Sequence, residues 1–260
     1  MKTFTLILAA LCIASSLNMA QKRPQPRVRP VKKILVDYRI DGPSAFPTIP
    51  KATQKSVLSR VFRKYLADDS KCQRDFETTE TDPLKGARDA GQIVPSIVDM
   101  ATGSFTAAGK RETAYVISVS ECNASHADNF GSKRVAIFAS QELVADVDAD
   151  FRSSIVRKID LNGDGINELL MASSDMSQGT LTEMAALVDF QNGRMRVIDD
   201  LGTVSEDSCA SELPGSTSRA SVISILNAKR GTMPKLRLDN YQSACRKGSR
   251  WRFISTGKME

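Results

Sequence analysis

Five residues within nine positions have the chemistry to hold a hard cation. Asp160, Asn162 and Asp164 stand at the first, third and fifth places of Asp160-Leu161-Asn162-Gly163-Asp164-Gly165-Ile166-Asn167-Glu168, Ile166 offers a main-chain carbonyl at the seventh, and Glu168 closes the ninth. All five donors are oxygens, the shell that calcium prefers, and Gly165 permits the sharp turn that gathers them. Asp160, Asn162, Asp164, Ile166 and Glu168 are therefore the candidate metal ligands, and Ca2+ is the expected ion. A Gly- and Asp-rich turn without an ion uses the same residue types, since Asn and Asp are ordinary turn formers. An EF-hand needs a bidentate Glu at the twelfth place and helices on both sides. Here the twelfth residue is Met171, and Leu169-Leu170-Met171 reads as a strand.

Catalytic chemistry has fewer residues to work with. The one histidine, His126, lies in a polar loop between two expected strands, with no Gly-x-Ser-x-Gly elbow and no His-Glu-x-x-His helix to accompany it. Asp146, Asp148 and Asp150 alternate like one face of a strand, and could serve as paired carboxylates or as part of a second calcium site. Zinc fails on spacing, because no CxxC pair occurs and His126 is four residues from Cys122. Asn123-Ala124-Ser125 fits a glycosylation acceptor. A binding or scaffold module is the leading reading. A secreted hydrolase without a recognisable motif is the alternative.

The ends of the chain set the compartment. Lys2, an apolar run from Phe4 to Ile13 and then small residues follow the order of a secretory signal peptide, expected over residues 1–20. Residues 21–33 combine three prolines with six basic residues and no acid, the composition of a stiff arm or linker. Lys2 and the arm hold seven of the 36 Lys and Arg, whereas all 30 acids lie later, so residues 34–260 carry about −1. The positive charge thus belongs to the arm, which suits an anionic surface, and a basic globular face for specific nucleic-acid binding is not expected. The protein is expected to be secreted, periplasmic or extracellular, with an unknown protein or glycan partner at the cell surface or envelope. Without the leader, Cys72, Cys122, Cys209 and Cys245 remain, an even number that allows three pairings. Cys72–Cys122 with Cys209–Cys245 closes the shorter loops.

The elements that must position the loop are mostly strands. Val57, Leu58, Val61, Phe62, Tyr65 and Leu66 recur with helical spacing, predicting a helix over 51–66 that starts near Thr48 and Pro50. About ten short runs rich in branched and aromatic residues follow or flank it, at 34–40, 113–119, 134–138, 142–147, 154–159, 168–172, 184–190, 194–198, 221–226, 235–238 and 251–254. Gln191-Asn192-Gly193 supplies a tight hairpin turn. This pattern predicts a mainly β, antiparallel body over 96–260 and an N-terminal segment over 34–95 that carries one amphipathic helix.

The loop also has a shadow in the sequence. At an offset of 56 residues, Ser104, Thr106 and Ala108 fall on Asp160, Asn162 and Asp164, Gly109 on Gly165, and Glu112 on Glu168. The first copy keeps the turn glycine and the final acid but lacks the central ligands, so it should keep its shape without calcium. A weaker third match is Leu226-Asn227-Ala228-Lys229-Arg230-Gly231, where two cations would repel an ion. Asp160-Leu161-Asn162-Gly163-Asp164-Gly165 with Glu168, leading into a strand, resembles the FG-GAP or VCBS-type repeats of integrin-like β-propellers. That resemblance implies a calcium loop within a blade and degenerate or partial β-propeller-like repeats. Glu168 departs from the commoner Asp, and two or three copies fall short of the four or more blades of a closed propeller.

Overall fold

Leu169-Leu170-Met171-Ala172 has no polar residue to turn outward, and the fold gives it no outward face. The run lies in β7 (Glu168–Ser177), where Leu170 and Ala172 enter one core while Leu169 and Met171 enter another. A strand covered on both faces reads as a continuous apolar run instead of an alternating one. Each large side chain so buried contributes about 1.5–3 kcal/mol. The structure, a computed structural model, describes residues 32–40, 47–67, 93–121, 132–150, 152–211 and 215–259. The expected leader, most of the basic arm, Cys72, Cys122, Asn123 and His126 lie outside the described residues.

Two antiparallel sheets carry the fold, as the strand pattern predicts. One is a four-stranded meander of β2 (Ile93–Gly103), β3 (Glu112–Glu121), β4 (Lys133–Ala139) and β5 (Glu142–Asp148). The other runs in chain order through β6 (Ser154–Ile159), β7, β8 (Thr180–Asp189), β9 (Arg196–Asp207), β10 (Thr217–Leu226), β11 (Lys235–Ala244) and β12 (Arg252–Thr256), and curls into a half-barrel. β1 (Lys32–Asp37) joins it by pairing with β10. β10 is therefore shared: its first half pairs with β9, its second half with β1, and β11 runs along its whole length.

The layers explain which apolar residues go where. Phe105, Val116, Ile137, Leu169, Val188 and Phe190 fill the core between the four-stranded sheet and β6–β8. Leu35, Leu170, Leu187, Leu201 and Ile223 fill the concave side of the larger sheet. Buried Asp99 ties the two sheets at their β2 and β6 edges, accepting from Ile155 N at 2.7 Å.

α1 (Lys51–Val61) packs Val57 and Leu58 against the outer face of the four-stranded sheet, with Ile97, Ile117 and Phe138. It is shorter than the predicted 51–66. Phe62 is already extended (φ −120°, ψ 125°), and Leu66 N bonds to Ile93 O at 2.7 Å, so the chain leaves the helix to meet β2. Phe62 and Tyr65 still reach the same core, by extended backbone instead of a helical stripe. Pro50 occupies the N-cap, and no side chain caps the helix.

The Asn-Gly turn between β8 and β9 forms as its residue types predict, with Asn192 at φ 58° and Gly193 at φ 72°. There are twelve strands among the described residues, against the eleven runs expected. The strand absent from the sequence reading is β2, where Pro95 interrupts an otherwise alternating Ile93, Ile97 pattern. Proline has no N–H to give a ladder and is tolerated at an edge, and β2 is an edge of its sheet.

Candidate metal centre

The loop from Asp160 to Asn167 spans β6 and β7, with Ile159 opposite Glu168, Lys158 opposite Leu169 and Arg157 opposite Leu170. The hairpin of β2 and β3 has the same register 56 residues earlier, with Gly103 opposite Glu112, Thr102 opposite Thr113 and Ala101 opposite Ala114. β10 and β11 repeat the span, with Leu226 opposite Lys235. All three hairpins thus close over eight residues. The third differs inside the loop, where Asn227 takes a positive φ of 51° and the glycine, Gly231, comes one place earlier.

The acidic side chains of the middle loop organise its own backbone. Asp160 accepts from Gly163 N at 2.7 Å, Asp164 N at 3.2 Å and Gly165 N at 3.0 Å. Asn162 Oδ1 accepts from Asp164 N at 2.9 Å, and Asp164 Oδ1 accepts from Ile166 N at 2.7 Å. Gly165, at φ +88°, makes the turn these bonds require. A Cβ there would also stand 3.2 Å from Ala108 Cβ, so the first loop packs directly on this one.

Glu168 sits beneath the loop with no solvent exposure. Its Oε2 accepts from Leu161 N at 2.8 Å, but its Oε1 is buried without a partner. Burial pushes its pKa up to about 7, and the negative charges of Asp164 and Asp160 add to the rise against the opposing amide bonds. Glu112, its counterpart, is satisfied. Glu112 Oε2 accepts from Phe105 N at 2.6 Å and Thr106 N at 2.8 Å, and Oε1 accepts from the Thr106 hydroxyl. Thr106 occupies the place of Asn162, whose amide instead donates to Asp164 Oδ2 at 2.9 Å. One hydroxyl therefore does in the first loop what nothing among the described residues does in the second. Thr106→Ala should cost about 1–3 kcal/mol in urea unfolding by stranding that oxygen. A change below a few tenths would show the bond to be idle.

Neighbouring chain holds the loop from both sides. Asn167 N donates to Ser104 O at 2.6 Å, and Asn167 Oδ1 accepts from Ser104 N at 3.0 Å. On the far side Gly231 N donates to Asn162 O at 2.5 Å, and Arg230 packs over Gly163.

The predicted ligands thus share one loop, and four of them (Asp160, Asn162, Asp164 and Glu168) engage its backbone or one another. Among the described residues, the group of three acidic, cysteine or histidine side chains drawn within 4.8 Å of one another is a different one, Asp207 with Cys209 and Cys245. Those two sulfurs form a disulfide with Cα atoms 5.2 Å apart, so they have no thiolates to give a metal. This is one of the favoured pairings; Cys72–Cys122 lies outside the described residues. Of the three alternating acids, Asp146 in β5 pairs with Arg134 at 2.8 Å, Asp148 accepts from Asp150 N at 2.7 Å, and Asp150, just beyond the strand, pairs with Arg152 at 2.7 Å. No helix among the described residues is long and apolar enough to cross a membrane. In comparisons with protein-family models, curated proteins and solved structures, the chain matches none.

Proposed function

We propose that this chain is an exported binding or scaffold module stabilised by calcium, with FG-GAP- or VCBS-like hairpins as its structural unit. The observation that carries the calcium reading is the orphaned, fully buried Oε1 of Glu168 beneath a loop bearing two more carboxylates. A buried carboxylate without a donor is costly, and a divalent cation offsets that cost directly. Asp160, Asn162, Asp164, the Ile166 carbonyl and Glu168 would hold it. Asp160, Asn162 and Asp164 accept from the loop's own amides, and the Asn162–Asp164 contact would have to exchange for the ion. The Cys209–Cys245 disulfide fits an oxidising compartment.

Calorimetric titration of chelator-treated protein with calcium tests the reading. One saturable site is expected on the wild type and none on Asp160→Ala with Asp164→Ala. Absence of binding to the wild type would remove the metal from the proposal and leave the loop as a turn.

A further inference from the structure

Averaging charge over residues 34–260 hides a local excess. Residues 240–259 hold five Lys and Arg and no acid. Four of these, Arg246, Lys247, Arg250 and Arg252, line one cleft of about 870 Å3 at the end of β10, β11 and β12. Among the described residues none of the four is paired with an acid. Unpaired like charges gathered in a concavity repel one another and raise the local concentration of anions.

The cleft is also built. Cys245, directly before Arg246, is tied to Cys209, and Ser249 N closes a turn onto Arg246 O at 3.1 Å. Trp251 packs against the core of the larger sheet, and Arg252 is registered opposite Gln242 in β11. The cationic segment is therefore fixed at both ends, which lowers the ordering cost of binding. Ser249 adds a second sign: its hydroxyl oxygen is buried without a hydrogen-bond partner and lines the same cleft.

We propose that this cleft binds an anionic saccharide, its sulfate or carboxylate groups held by Arg246, Lys247, Arg250 and Arg252. Guanidinium forks match planar carboxylate and tetrahedral sulfate oxygens in pairs. The volume lies in the range of small-ligand sites. A single-stranded nucleic acid would use several aromatic platforms for successive bases, whereas Trp251 is the one aromatic ring lining this cleft. The cleft and the metal loop lie at opposite ends of the ten-residue β11, roughly 30 Å apart. The two assignments therefore stand or fall separately.

The test uses the full chain with three probes: size-defined heparin fragments, neutral dextran and a charge-matched single-stranded oligonucleotide. Trp251, the sole tryptophan, reports occupancy through its fluorescence. Heparin should bind saturably, with or without chelator, and dextran should not. Arg250→Ala with Arg252→Ala should weaken heparin binding by about tenfold or more, while neutralising Lys22, Arg23, Arg27 and Arg29 in the arm should weaken it by less than about threefold. Ser249→Ala, which removes no bond from the free protein, should lower affinity at an unchanged melting temperature; this variant decides the matter if the double variant is unstable. Binding that survives the cleft substitutions and vanishes with the arm overturns the proposal. So does tighter binding of the oligonucleotide through the same arginines.

Discussion

Saturating calcium should raise the melting temperature of the wild-type protein by about 5–10 °C. An ion at a hundred times its dissociation constant stabilises by about 2.7 kcal/mol, and a chain of this size moves about 2–4 °C per kcal/mol. Asp160→Ala with Asp164→Ala should abolish the rise. It should also melt lower without calcium, because Asp160 alone binds three amides of the loop. Asn162→Thr separates the two effects. It places a hydroxyl where Thr106 satisfies Glu112, so the calcium-free protein should gain stability while its response to calcium shrinks.

Acidity gives the same experiment a sign. Glu168 has a folded pKa of about 7 against 4.5 when unfolded, so between those values the folded state binds the extra proton. Its contribution to calcium-free stability rises as pH falls from about 7 to about 4.5, by about 3 kcal/mol at most. Glu168→Gln should lose this component, read as the difference between the two melting curves across pH. Calcium affinity should fall over the same window, since proton and ion compete for one carboxylate. A wild-type curve parallel to that of Glu168→Gln would show that Glu168 is ionised throughout.

Replacing both Cys209 and Cys245 by serine should cost about 4 kcal/mol in guanidinium unfolding. The bridge spans 36 residues, and closing a loop of that length removes about this much entropy from the unfolded chain. The native side of the balance changes little. Cys209 lies in a short 3-10 turn after β9 and Cys245 just beyond β11, and both are exposed. The same substitution frees the root of the cationic segment, so anion binding should weaken along with stability. Unfolding within about 1 kcal/mol of wild type would show that the unfolded chain is already constrained by other means.

The candidate loop was legible because its chemistry is local. Spacing alone placed Asp160, Asn162, Asp164 and Glu168 on one turn, and the 56-residue offset anticipated a register that pairs Gly103 with Glu112 as it pairs Ile159 with Glu168. What escaped was set by distant chain. Even within the loop, spacing does not say that Glu168 Oε1 is left without a donor, since the Asn162 amide turns to Asp164 instead. The helix ends before its apolar spacing does, because Phe62 and Tyr65 keep helical spacing while Ile93 captures Leu66. β1 falls in the expected N-terminal segment, and only the free half of β10 shows where it goes. The basic cleft had a signal that a whole-domain average removed: twenty residues without an acid.

The sharing of β10 has a mechanical consequence. Chain arriving from upstream enters the sheet at Lys32, opposite Leu226, and β1 is fastened along its length by pairs from there to Asp37 and Val222. Tension drawn across the strand at Lys32 would load these rungs one after another, as a zipper is opened, whereas tension along the strand would shear them together. The first rung to part adjoins the loop whose Gly231 donates to Asn162. The last is backed by the Asp37–Arg39 ion pair and by the Arg39 guanidinium 4.2 Å above the Tyr241 ring. A pull across the strand would thus be felt first beside the acidic loop and last beside the ring.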